Sequence, residues 1–160
     1  MKGRPTKTRF PLVAATKQTG VGLIEVLIAV LVLSIGFLGI AALEAMSLST
    51  NNSSYARSMA TINAYSIMDA MRADIANAKA GSYNATVKGG SCPAAGTTLI
   101  TQQTSVWCGS LAATLGASDT TTGTVNCDGN GNCTITIAFD DSRAGAGGGS
   151  AQTFVTQGVL

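Results

Sequence analysis

The chain contains no histidine. That removes Ser-His-Asp and Cys-His nucleophilic catalysis, and every zinc centre that uses imidazole. Few side chains with usable chemistry remain. Cys92, Cys108, Cys127 and Cys133 all lie in the C-terminal half, and Glu25 is the lone carboxylate at the head of an apolar run. Asp128, Asn130 and Asn132 alternate with Gly129 and Gly131, while Asp140 and Asp141 are adjacent.

An even number of cysteines in an oxidising compartment points to two disulfides, with three connectivities open. The favoured pairs are Cys127–Cys133, clamping a hairpin loop, and Cys92–Cys108, closing an earlier loop. The latter closure would contribute ~3 kcal/mol by loop entropy. A zinc ion held by all four cysteines needs closely paired ligands, and spacings of 15, 18 and 5 intervening residues fit that poorly. Asp128-x-Asn130-x-Asn132 begins like a calcium loop. Its sixth position is Cys133 rather than Gly and its twelfth is Phe139 rather than Glu, so a tight turn is expected. Adjacent residues on an extended strand face opposite ways, so Asp140-Asp141 reads as a solvated strand end rather than a catalytic pair. The Ser/Thr-rich surface offers no nucleophile beside a base. Neither an enzyme nor a bound metal or cofactor is expected.

Five of the ten basic residues (Lys2, Arg4, Lys7, Arg9, Lys17) precede Gly20, and no acid does. From Val21 onward five basic residues face eight acidic ones, so the overall +2 describes a leader, not a basic patch suited to nucleic acid. Val26 to Leu43 is an uncharged, mostly aliphatic run of 18 residues, interrupted by Ser34, Gly36 and Gly39. As a helix it spans ~27 Å, near the ~30 Å hydrocarbon core of a bilayer. A soluble core helix of this length would show a polar face, and this run has none. The basic flank predicts a cytoplasmic N-terminus with the remainder across the membrane. A conventional signal peptide has a shorter apolar region and a small-residue cut site behind it. Gly39-Ile40-Ala41 could serve as one, but the helical pattern continues past it.

An acid at membrane depth is costly and usually has a partner. No basic residue follows Glu25 until Arg57, on the order of 48 Å along the same helix. A group from another chain could neutralise it. The candidate is a free α-amine at Val21, exposed if the chain is cut after Gly20.

Beyond the run, Leu43 to Ala80 holds no proline or glycine and favours helix. Met68, Met71 and Ile75, with Ala64 and Ala78, share one side and predict contact with a sheet. Asn51 to Ser54 is a polar stretch where the helix could fray or kink. Gly81 is placed to end it. One near-continuous helix from Val21 to Ala80 would be ~90 Å long. The period then changes. Thr97 to Thr101 looks β-like, as does Cys133 to Phe139, where Ile135, Ile137 and Phe139 alternate with Thr134, Thr136 and Ala138. Gly123 to Cys127, Asp128 to Asn132 and that strand read as a hairpin with a glycine-rich turn. Gln152 to Val159 could be a last strand, after a flexible Gly-rich loop from Arg143 to Ser150. The fold class expected is α+β: a long N-terminal helix on a small antiparallel sheet with disulfides. The expected divisions are a leader at 1–20, an apolar helix at 21–44, its amphipathic second half at 45–80 and a β-sheet head at 81–160.

Gly20-Val21-Gly22-Leu23-Ile24-Glu25 and the run behind it resemble a type IV prepilin signal. In that family a short basic leader ends in Gly, and the fifth residue of the mature helix is Glu. The resemblance implies cleavage between Gly20 and Val21 by a membrane prepilin peptidase, N-methylation of Val21, and docking of Glu25 on the amine of a neighbouring subunit. Family members usually carry Phe at the position of Val21 and Thr or Ser at that of Gly22. Val26 to Gly39, together with Met68 to Asp74 and Ala80 to Tyr83, look like the PilV-type minor pilins, or type IV pilus modification proteins. The match covers about residues 16 to 85 and is weak over the C-terminal half. It implies a protein held in the bacterial inner membrane with a periplasmic head, then carried into a pilus. Its partners would be other minor pilins, the major pilin and a tip adhesin, and its roles assembly priming, adhesion or twitching motility. A minor pseudopilin of type II secretion shares the N-terminal signal, and a signal-anchored periplasmic binding domain is the alternative of a different class.

Overall fold

The computed structural model describes residues 20, 22–142 and 148–160. Residues 1–19 of the basic leader, Val21 and 143–147 of the Gly-rich loop lie outside the described residues. The chain divides into two units, Met1–Ile40 and Ala41–Leu160. The first is the apolar start of helix α1 (Leu23–Ala73). Its side chains from Leu23 to Ile40 are exposed throughout, as the absence of a polar face predicts. Mean hydropathy reaches 2.9 there, high enough for a membrane span.

The second unit is α+β. The rest of α1 is followed by α2 (Ile75–Lys79), β1 (Ala85–Lys88), α3 (Leu99–Leu115), β2 (Thr122–Cys127), β3 (Asn132–Phe139) and β4 (Gln152–Val159). The four strands form one antiparallel sheet in the order β1-β2-β3-β4. On β3, Cys133, Ile135, Ile137 and Phe139 are buried, and the residues between them are not. That face meets Ala60, Ala64, Ile67, Met68 and Met71 of α1 in one apolar core. A Cβ at Gly158 of β4 would come within 2.7 Å of Met68 Sδ, so helix and sheet approach there at glycine distance.

Several expectations need correction. The helix is not continuous to Ala80. It breaks at Asp74, whose backbone adopts φ −133°, ψ 51°. The Asp74 carboxylate accepts from the Asn77 carboxamide and the Tyr83 hydroxyl instead of from helix amides. Ile75 is therefore 43% exposed rather than part of the core stripe, although Ala78 is buried. Gly81 does end the helix. With φ +76° it lets its own N–H reach Ala78 O, while Ser82 N–H reaches Asn77 O, the paired closure of a Schellman motif.

Thr97 to Thr101 is not a strand. Thr98 caps α3, its hydroxyl accepting from the Thr101 amide. Trp107, Cys108, Leu111 and Leu115 form the buried face of the 17-residue helix. β-Branched local preference loses to that helical spacing and its packing. Trp107 Nε1–H donates to Asn63 O on α1 at 3.0 Å, and the Asn63 carboxamide donates to Thr114 Oγ1 at 3.0 Å, tying the two helices. α1 stays helical through Asn51 to Ser54, where Ser53 is buried and bonded.

Candidate functional site

The residues at the junction begin with Gly20. It is exposed, and a Cβ there would meet nothing within 4 Å. Local packing therefore does not require glycine at this position. The Gly22 carbonyl accepts from Glu25 N at 2.9 Å and Val26 N at 3.3 Å, closing the first turn of α1. Leu23 is the first helical residue, so Glu25 is the third. A carboxylate here lies beside the unpaired amides of the first turn, where the helix dipole favours negative charge by ~0.3–1 kcal/mol. Glu25 thus has a local helix-stabilising role, but it has no ion pair: among the described residues the only one joins Arg72 to Asp69. Val21, the predicted cleavage and methylation position, lies outside the described residues. Behind Glu25, Val26, Val30 and Leu33 are exposed on the same unit. Ser34 returns its hydroxyl proton to Val30 O at 2.7 Å, so the one hydroxyl of the apolar run keeps its donor satisfied without water.

The four cysteines of the second unit form two pairs, Cys92–Cys108 and Cys127–Cys133. The first ties the loop after β1 to the buried face of α3. The second joins directly opposed residues of β2 and β3 across the hairpin. Between them, Asp128 accepts from the Asn132 carboxamide and from the Asn130 and Asn132 amides at 2.8–2.9 Å. Those bonds, led by the Asn132 side chain, hold the Asp128 carboxyl below its ordinary pKa. Gly131, at φ +90°, completes the turn. The carboxylate organises its own loop.

Asp140 and Asp141 differ from the expected solvated end. Asp140 is exposed and accepts from Ser142 N, whereas Asp141 is 3% exposed and accepts from the Ser53 hydroxyl. Sequence spacing could not show this, since the partner lies 88 residues away. Two other residues escaped the sequence reading. Asn63 is a buried polar link between α1 and α3, and Arg57 faces a groove against β4.

An exposed apolar helix fits a membrane anchor or signal segment, and two disulfides fit an extracytoplasmic head. A long apolar helix packed through its later turns on a disulfide-bonded four-stranded antiparallel sheet is a pilin-like architecture. Compared with family models, curated proteins and solved structures, the chain finds no match.

Proposed function

We propose that the chain is a type IV pilus minor pilin of the PilV type, working by assembly and not by catalysis. The observation that carries the reading is Glu25. It is an acid in the first turn of a helix whose side chains from Val26 to Leu43 are exposed and, apart from Ser34, apolar, and among the described residues no cation pairs with it. An isolated carboxylate entering an apolar medium gains most from a cation supplied by a second chain. The amine freed by cleavage between Gly20 and Val21 supplies one close to the same depth. The apolar helix first anchors the precursor in the inner membrane, then exchanges lipid for the helices of neighbouring pilins. The disulfide-bonded head remains outside, where it joins other minor pilins and the major pilin in priming the fibre near its tip, and contributes to adhesion or twitching.

The test is the N-terminus of the mature protein, read by sequencing and intact mass. A start at Val21 with a methylated amine is expected. A start near Ala42, or a retained leader, overturns the reading. Deletion scored for twitching and for exoprotein secretion then separates a pilus subunit from a pseudopilin of type II secretion.

A further inference from the structure

The head carries a groove unrelated to the junction. It lies between α1 and the adjoining ends of β3 and β4, with a volume of about 390 Å³, and is lined by Arg57, Ser58, Thr61, Phe139, Gln152, Thr153 and Phe154. Its size falls in the range of small-molecule sites, about 300–1,000 Å³. Phe139 is buried beneath the groove and Phe154 is half-buried, so the Phe154 ring supplies the accessible part of its apolar floor. Its polar side has an uneven inventory. The Arg57 guanidinium forms no ion pair, the only one among the described residues being Arg72–Asp69. It presents a planar fork of donors suited to a carboxylate. Ser58 and Thr61 have already committed their single hydroxyl protons, Ser58 to Ser54 O at 2.9 Å and Thr61 to Arg57 O at 3.0 Å. While those bonds are kept, these two oxygens meet a ligand as acceptors. Gln152 and Thr153 can both donate and accept.

We propose that this groove binds a hydroxylated sugar acid, a uronic acid or a close relative, with its carboxylate on Arg57 and its ring hydroxyls donating to Ser58 and Thr61. A bare carboxylate satisfies the guanidinium but leaves both acceptor oxygens without a donor. A neutral sugar satisfies the hydroxyls but not the cation. Only a ligand carrying both groups matches the inventory, and the aromatic floor takes the apolar face of its ring. Polyanions fit less well, because the chain from Val21 onward has eight acids against five bases, and among the described residues Arg57 is the one basic side chain lining the groove. This inference does not rest on the pilin reading of α1.

The test titrates the purified full-length chain, in detergent micelles, with D-glucuronate, D-glucose, acetate and a short glutamate-containing peptide, followed by calorimetry or by NMR shifts of Gln152 and Thr153. Glucuronate is expected to bind at least about tenfold more tightly than the other three. Arg57→Gln should weaken it by a similar factor, and Arg72→Gln should leave it unchanged. Arg57 is exposed, so its substitution leaves the fold intact. Thr61→Val serves as a second variant, and should weaken glucuronate but not acetate. Failure of glucuronate to bind, equal binding of acetate or peptide, or an Arg57→Gln variant that binds as before each overturns the proposal.

Discussion

Ser53 donates its hydroxyl proton to the Asp141 carboxylate at 2.5 Å, joining the middle of α1 to the segment just after β3. Both residues are buried, and the Asp141 amide donates to Gly149 O, which draws the approach to β4 onto the same point. The polar stretch within α1 is thus where the helix is fastened to the far end of the sheet. Ser53→Ala leaves a buried carboxylate without that donor, at a cost of ~1–3 kcal/mol. Ser54→Ala removes an exposed hydroxyl bonded only to the Thr50 carbonyl, and should change stability by less than about 0.5 kcal/mol. Urea unfolding of the two variants in micelles, disulfides intact, tests the difference. Equal midpoints would show that the Ser53–Asp141 bond contributes nothing.

Two glycines make opposite predictions. A Cβ at Gly123 of β2 would come within 2.5 Å of Trp107 Cη2 and 2.6 Å of Leu111 Cδ1, both on the buried face of α3. Gly123→Ala should therefore destabilise by ~1–3 kcal/mol through overpacking. Gly109, inside α3 and exposed, has nothing within 4 Å of that position. Gly109→Ala should stabilise by ~0.5–1 kcal/mol, since it removes backbone freedom from the unfolded chain. Thermal unfolding of both variants reads the two signs directly.

These cases show what was legible in the sequence. The β3 alternation, the β4 strand and the Gly81 stop depend on local periodicity and backbone freedom, and each appears as expected. α3 was hidden because Thr97, Thr98, Ile100 and Thr101 favour strand locally, while the Trp107, Leu111 and Leu115 spacing that overrides them comes later. The break at Asp74 was hidden because neither Pro nor Gly marks it; Asn77 and Tyr83 capture its carboxylate. β1 is only four residues long and takes its register from β2. Asp141 depends on a contact across 88 residues that no local pattern encodes.

The β2–β3 turn should loosen in acid. Hydrogen bonds from the Asn132 side chain first, then from the Asn132 and Asn130 amides, lower the Asp128 pKa relative to the unfolded chain. A depressed carboxyl contributes stability that is present above its unfolded value, about 3.9, and is lost as pH falls through the lower folded value. Exchange protection of the Asn130 and Asn132 amides, corrected for intrinsic rate, should hold from neutrality to about pH 4 and decline below it. Asp128→Asn should remove the acid-dependent step while Cys127–Cys133 keeps the strands paired. An unchanged profile in that variant would assign the decline to another group.

The junction predictions separate folding from assembly. Gly20→Ala adds a methyl group that meets nothing within 4 Å, so the chain should fold and enter the membrane as before. On the minor-pilin reading it nevertheless accumulates with its leader attached, because the glycine is required by the peptidase and not by the fold. Glu25→Ala lies on the other side of the cut. It forgoes ~0.3–1 kcal/mol of dipole stabilisation at one end of a 51-residue helix, too little to unfold it. It should be processed, form both disulfides and remain in the inner membrane, but be missing from sheared pili. Immunoblots of sheared and membrane fractions, with intact mass on each, distinguish the two outcomes. A Glu25→Ala protein recovered from pili at the wild-type level would show that the first-turn carboxylate serves only its own helix, and would remove the assembly role assigned to it.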